Sequence, residues 1–304
     1  MRAPPQEIHD LKPPRFAYHA PASVDEAVAL LARYGGDARV LSGGQSLVPM
    51  LNFRLVTPAA LIDLRRIESL AYVREEGATV AIGSMTRQRA AERSPVVAAK
   101  LPLVTEALRW VGHLPTRSRG TVGGSIAHAD PSAELPAMFL ALGGEAVAVG
   151  TEGRRTIAAD DFFQSFFTTA LAPTELLAEV RFPAMAAGTG HAVEEFARRK
   201  GDFAIVGIAA VVVKDGGRAR DVRLVAFGAS GTPLRLRAAE QSLAGAALDA
   251  TSLARAADAA RGEVDPVADN NASADYRRHL VGVLVQRALA RATGVTLQPE
   301  FAHV

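Results

Sequence analysis

Apolar positions Val24, Ala27, Val28 and Leu31 recur at the spacing of one helix face, after a Ser23-Val24-Asp25-Glu26 capping box and before a Gly35-Gly36 stop. The period then shortens. Arg39-Val40-Leu41 reads as a buried strand running into Ser42-Gly43-Gly44-Gln45-Ser46, and Leu61-Ile62-Asp63-Leu64 as a second strand. These elements predict a small α+β unit ending near Leu70. A hairpin follows, with strands at Ala71 to Arg74 and Thr79 to Gly83 about a Glu75-Glu76-Gly77 turn. Helical spacing is expected from Arg87 to Arg93, stopping at Pro95, and again from Leu103 to Val111. Gly112 to Gly124 is rich in glycine and arginine and reads as loop.

Asp130 is placed as an N-cap with Pro131 at the first helical position. The helix expected there runs through Leu135, Met138 and Leu142 to Gly143-Gly144. Strands at Ala146 to Val149 and Glu175 to Phe182 complete a second α+β unit, and Pro183 to Gly190 reads as a linker. Val193 to Ala197, Ile205 to Val213 and Val222 to Ala226 predict an antiparallel meander. The last third is helical, with Tyr276, Leu280, Val283, Leu284 and Ala288 on one stripe of Ala274 to Ala292. That stripe reads as core packing first and a subunit interface second.

Composition narrows the function. The 304 residues suit two or three domains, and 49% hydrophobic with 22% charged residues suits soluble folding around a sizeable core. A formal net charge of +2 without a long basic block argues against nucleic acid as the principal partner. Cysteine is absent, which excludes disulfides, a cysteine nucleophile and an iron–sulfur cluster ligated by this chain. No secretory signal and no run of about 18 apolar residues is found, so a cytoplasmic protein without a membrane span is expected.

The chemistry is concentrated in two glycine-bearing turns, Ser42-Gly43-Gly44-Gln45-Ser46 and Thr121-Val122-Gly123-Gly124-Ser125. A Gly-Gly pair lets backbone N–H groups face an anion, and flanking hydroxyls add hydrogen bonds. Either turn alone is equally well a tight strand exit; two together suit a long ligand with a diphosphate at its middle. Arg117 and Arg119 are placed to balance diphosphate charge, and Glu134 to accept from sugar or ribityl hydroxyls, or merely to sit favourably in a helix first turn. His128 reads as structural or capping, since no metal-ligand spacing accompanies it. Arg198-Arg199-Lys200-Gly201-Asp202-Phe203 reads as a charged turn delivering an aromatic ring, with plain core as the other reading of Phe203. No Gly-x-Gly-x-x-Gly, phosphate-binding lysine loop or nucleophile elbow is present, so a bound cofactor has to carry any chemistry.

The stretches Leu41 to Met50, Arg119 to Pro131 and Arg199 to Ala204 resemble, in order, the FAD-binding medium subunit of molybdenum hydroxylases, the carbon monoxide dehydrogenase and xanthine dehydrogenase group. The resemblance implies an α+β protein. Two FAD-binding subdomains of the vanillyl-alcohol-oxidase (PCMH) type, residues 15–70 and 71–186, would follow an arm at 1–14. A C-terminal domain with a three-stranded antiparallel sheet would occupy 187–304. It also implies that Ser42, Gly43, Gly44, Gln45, Ser46, Thr121, Val122, Gly123, Gly124 and Ser125 hold the diphosphate and nearby groups. Glu134 would contact the ribityl chain, Phe203 would lie near the flavin ring and Leu64 near the adenine end. The chain departs from the family pattern at Leu114-Pro115-Thr116, where the proline is shifted and an isoleucine is missing.

The implied role is electron transfer. A 2Fe-2S ferredoxin-like small subunit would supply electrons, a molybdenum-cofactor large subunit would oxidise the substrate, and the complex would be a dimer of heterotrimers. Two alternatives stand beside it: a free-standing FAD-dependent oxidase or dehydrogenase, and a non-catalytic scaffold with empty turns.

Overall fold

The computed structural model describes residues 12–297, so most of the expected arm and the last seven residues lie outside the described range. Strands β1 (Ala17–His19), β2 (Ala38–Leu41) and β3 (Ala60–Asp63) form a parallel sheet in the order β1-β3-β2. Helices α1 (Val24–Tyr34) and α2 (Leu47–Asn52) occur in its connections. β3 is buried along its whole length, as a central parallel strand covered on both faces must be. Ser23 caps α1 by accepting from the Glu26 N–H, but the Glu26 carboxylate reaches back to the Ala22 N–H, one residue outside the expected box. Ala27, Val28 and Leu31 turn inward against Ile62, Leu64 and Ile67. Burying a Val or Leu side chain stabilises by about 1.5–3 kcal/mol, which is what anchors α1.

Next come β4 (Val73–Glu76) and β5 (Thr79–Gly83), followed by six helices. These are α3 (Gln88–Glu92), α4 (Pro95–Lys100), α5 (Pro102–Leu108), α6 (Leu114–Arg119), α7 (Val122–His128) and α8 (Glu134–Ala141). Strands β6 (Glu145–Gly150) and β7 (Gly153–Ala158), the single turn α9 (Ala159–Phe162), the small ribbon β8 (Phe163–Ser165) and β9 (Thr168–Thr169), and β10 (Leu176–Pro183) complete the unit. Its sheet is antiparallel, ordered β4-β5-β10-β6-β7.

Three expectations change here. Pro95 does not merely stop a helix; with Ser94 as N-cap it opens α4. The segment from Gly112 to Gly124 is not loop but two short helices, the first with Pro115 in its opening turn and the second capped by Thr121. Asp130 does not cap a helix either. It accepts from the Ser132 N–H in a local turn, and α8 starts at Glu134.

The C-terminal sheet runs β11 (Gly190–Phe196), β12 (Val206–Asp215), β13 (Arg218–Phe227) and β14 (Leu234–Arg235), all antiparallel. The two-residue β14 makes it four-stranded rather than three-stranded. Glu240 holds it there by pairing with Arg235 at 2.7 Å. Helices α10 (Arg237–Leu243), α11 (Ala250–Glu263) and α12 (Ala274–Thr293) complete this unit. Leu280, Leu284 and Ala288 of the α12 stripe are core, whereas Tyr276 is partly exposed and meets Phe196 edge-on at 6.2 Å.

The C-terminal sheet is built into the middle unit. Val193, Ala209, Val225 and Phe227 share one core with Phe139, Phe162 and Phe182. The Gly228 N–H donates to the Pro131 carbonyl at 2.7 Å. Arg277, buried in the first turn of α12, donates to the Ile205 and Gly228 carbonyls and pairs with Asp269 at 2.8 Å. Arg277→Met leaves those carbonyls without their charged donor and is expected to cost about 1.5–3 kcal/mol. Urea unfolding of the full chain checks this; a loss under about 0.5 kcal/mol, the range of ordinary surface changes, would remove Arg277 from that role.

Candidate functional site

The two glycine turns meet. Ser42 Oγ and Thr121 Oγ1, 79 residues apart in sequence, lie 2.6 Å from one another. A Cβ at Gly43 would fall 2.5 Å from the Arg119 carbonyl oxygen and 2.7 Å from Gly120 Cα, so only glycine allows the backbones to come this close. Gly44 takes φ +74°, a left-handed conformation that turns the chain into α2.

The turns have different roles. In the second, every early N–H is already used: Val122 donates to the Thr86 carbonyl, Gly123 to Ser84, Gly124 to Thr121 Oγ1 and Ser125 to the Thr121 carbonyl. Gly123 lies against the Ser84 backbone, where a Cβ would fall 2.5 Å from Ser84 Cα. This segment is therefore a tightly docked helix start, not an open anion cradle. In the first turn, the N–H groups of Gly43, Gly44, Gln45, Ser46 and Leu47 find no protein acceptor among the described residues. Here the donors are open.

Their residues line a cleft of about 680 Å³. Ser42, Gly43, Gly44, Gln45, Ser46, Thr121, Gly124, Ser125, Glu134 and Phe203 all line it, which brings most of the expected residues together. Phe203 is 61% exposed, so it forms wall and not core. Leu64, Val122 and Gly123 do not line the cleft. Leu64 is buried in the N-terminal core, and Val122 in the middle one. The expected charge balance from arginines also changes: Arg117 is tied to Glu92 at 3.0 Å and to the Val111 and Gly112 carbonyls, and Arg119 is not in the wall.

Glu134 is buried, and loss of hydration pushes its carboxyl up to about 7; its own N–H and Arg117 oppose that rise and Asp130 adds to it. Asp130 is raised for the same first reason, against the Ser132 N–H and His128. Burial lowers His128, whose ring lies 5.0 Å from that of Phe167 on the same wall.

Residues 14–185 match the family model described as the FAD binding domain in molybdopterin dehydrogenase, and residues 191–292 match the CO dehydrogenase flavoprotein C-terminal domain. The chain belongs to the molybdopterin dehydrogenase FAD-binding family. It is 43% identical to the carbon monoxide dehydrogenase medium chain of Hydrogenophaga pseudoflava, over 92% of this chain and 98% of that one. It is 41% identical to the 6-hydroxypseudooxynicotine dehydrogenase complex subunit alpha of Paenarthrobacter nicotinovorans, over 93% and 96%. A solved carbon monoxide dehydrogenase from Hydrogenophaga pseudoflava, lacking the Mo-pyranopterin moiety of its cofactor, superposes with a TM-score of 0.91 at 45% identity, covering 92% of this chain and 98% of that chain.

The cleft fits the FAD of this family. Open backbone donors at Gly43 to Leu47 suit an anionic diphosphate, and the volume lies within the range of cofactor sites. The sequence reading missed Gln88, Thr116, Asp130 and Phe167 in the wall. Asp130 stands inside the Arg119 to Pro131 stretch but reads there as a helix cap, and Phe167 is one of two adjacent phenylalanines that lie exposed between β8 and β9.

Gly43→Ala is expected to push the two turns apart and weaken FAD binding about tenfold or more, about 1.4 kcal/mol, with far-ultraviolet circular dichroism unchanged; flavin titration reads the loss. A second expectation concerns pH. Because the folded chain holds the Glu134 proton up to about 7 while an unfolded glutamate releases it near 4.5, stability is greatest below the lower value and falls as pH rises between them. The midpoint of thermal unfolding of the FAD-free chain should therefore drop more steeply over this window than that of Glu134→Gln. Parallel slopes would contradict the burial argument.

Proposed function

We propose that this chain is the FAD-bearing electron-transfer subunit of a heteromeric molybdenum hydroxylase. A 2Fe-2S ferredoxin-like subunit would deliver electrons, a molybdenum-cofactor subunit would oxidise the substrate, and an external acceptor would take the electrons from here. The observation that carries this is the open-donor cleft in a chain that spans nearly the full length of medium-chain relatives and has no cysteine. Iron–sulfur ligands therefore have to come from other chains.

Bound FAD supplies the redox chemistry, taking up electrons singly and passing them on in pairs. The chain's own work is to hold and enclose it. Open N–H groups from Gly43 to Leu47 take the diphosphate, and the Ser42 and Thr121 hydroxyls fix the loop that presents them. Glu134, whose carboxyl burial pushes up to about 7, accepts from ribityl or sugar hydroxyls and in its acid form also donates. Phe203 supplies an apolar face for the flavin ring. Leu64, Val122 and Gly123 act behind this layer, through packing. The two FAD-binding subdomains would be of the vanillyl-alcohol-oxidase type, with boundaries near 70 and 186 supported by the separate sheets, and the complex would assemble as a dimer of heterotrimers.

The test starts from a visible spectrum of the purified chain, alone and after FAD. Flavin bands that survive desalting at about one flavin per chain are expected of a cofactor site. Substrates of the assembled enzyme should leave the isolated flavoprotein coloured and bleach it only after the two partner chains are added. Bleaching by substrate without partners would favour a free-standing dehydrogenase, and absence of retained flavin even with partners would favour an empty scaffold.

A further inference from the structure

Among the described residues, three that are not glycine hold a left-handed backbone: Arg54, Ala129 and Phe167. The first two follow helix ends, where such a residue lets the trailing N–H groups reach the last carbonyls. Ala129 is the C-cap of α7, and the Arg54 N–H donates to the Leu51 carbonyl just past α2. Phe167 ends no helix. It is the second of the two residues at the tip of the β8–β9 ribbon, at φ +52°, where glycine or asparagine is usual. For a bulky side chain this conformation is uphill, and it persists only where the surroundings impose it.

The ribbon imposes it. Ser165 pairs with Thr168 across the tip, Thr168 Oγ1 donates to the Phe166 carbonyl at 2.9 Å, and Arg155 donates to the Ala170 carbonyl just beyond at 2.8 Å. From there the two rings diverge. Phe166 lies against Gly231, where a Cβ would come 3.0 Å from the ring. Phe167 reaches His128 of α7, with ring centroids 5.0 Å apart and planes at 36°. Full burial of the ring would offset the strain by packing. Phe167 is instead 52% exposed, and it lines the FAD cleft. An aromatic ring held at a cost and left half open to a cleft points to a contact that FAD completes.

The neighbours of Phe167 say which part of FAD that is. His128, Asp130 and Glu134 line the same cleft, and Asp130 is within electrostatic reach of both His128 and Glu134. Phe167 therefore stands on the side of the carboxyl that takes the ribityl chain, and the isoalloxazine is the ring joined to that chain. We propose that Phe167 is a contact residue for bound FAD, giving the isoalloxazine a second apolar face from the β8–β9 ribbon beside the one that Phe203 gives from the turn before β12. The inference rests on the cleft holding FAD. It adds that the strained backbone at the ribbon tip is kept for the sake of this contact.

The test compares the full-length wild-type chain with Phe167→Asn and Phe167→Tyr in three readouts: the Kd for FAD, the emission of the bound flavin, and the midpoint of thermal unfolding without FAD. Asparagine accepts a left-handed backbone, so Phe167→Asn removes the ring without loosening the turn. Its Kd is expected to weaken about tenfold or more, while its FAD-free midpoint equals or exceeds that of the wild type because the strain is relieved. Phe167→Tyr should keep the Kd within about threefold. Because a phenol gives an electron to excited flavin more readily than a phenyl ring does, it should also cut the emission of the bound flavin several-fold. An unaltered Kd in Phe167→Asn would overturn the proposal, and a lowered FAD-free midpoint beside that unaltered Kd would make the ring packing for the ribbon. Phe167→Tyr that binds FAD with unaltered emission would overturn the placement at the isoalloxazine. Failure of the wild-type chain to take up FAD would instead overturn the cofactor reading itself, before any variant is compared.

Discussion

The contact of the Ser42–Gly43 backbone with the Arg119–Gly120 backbone is the constraint around which the rest of the molecule is arranged. It joins a parallel-sheet unit to an antiparallel one across a gap that admits no side chain. One hydroxyl pair, Ser42 with Thr121, fixes the contact. Because Thr121 also caps α7, the hydroxyl that joins the units also sets the helix whose start forms one wall of the cleft. Position and orientation of the open N–H groups thus follow from packing between units, not from the Gly-Gly turn alone.

Two kinds of group line the cleft: the backbone N–H dipoles of Gly43 to Leu47, and the carboxyls of Glu134 and Asp130, both pushed upward by burial. Of the two arginines that sequence would bring to the anion, Arg117 is instead spent on structure, satisfying two carbonyls and Glu92, and Arg119 is not in the wall. An anion held by dipoles needs no buried counter-charge, which avoids the desolvation cost of burying an ion pair.

Much of this was legible from residue patterns where interactions are local. The Ser23 cap, the α1 face, the strand leading into Ser42 and the long meander strands all depend on near neighbours, and each formed within a few residues of its expected place. The glycine pairs marked both loops that meet at the cleft. What they did not reveal is that Gly123-Gly124 is helical, because the deciding contact is with Ser84, far back in the chain. Leu64 lies away from the cleft wall for a related reason: its position beside a loop says nothing about which way an apolar side chain turns, and the core of α1 claims it.

The two family segments divide at residues 185 and 191, yet the core does not divide there. Phe227 and Val193 belong to the same apolar cluster as Phe139 and Phe182, and Gly228 is hydrogen-bonded to the turn before Glu134. The acid that faces the cleft is dry in part because another segment's sheet lies over its neighbourhood. Recombination between members of the family at this linker would therefore exchange half of a shared interior. The joint in the chain is a seam in the sequence, while the molecule itself is welded across it.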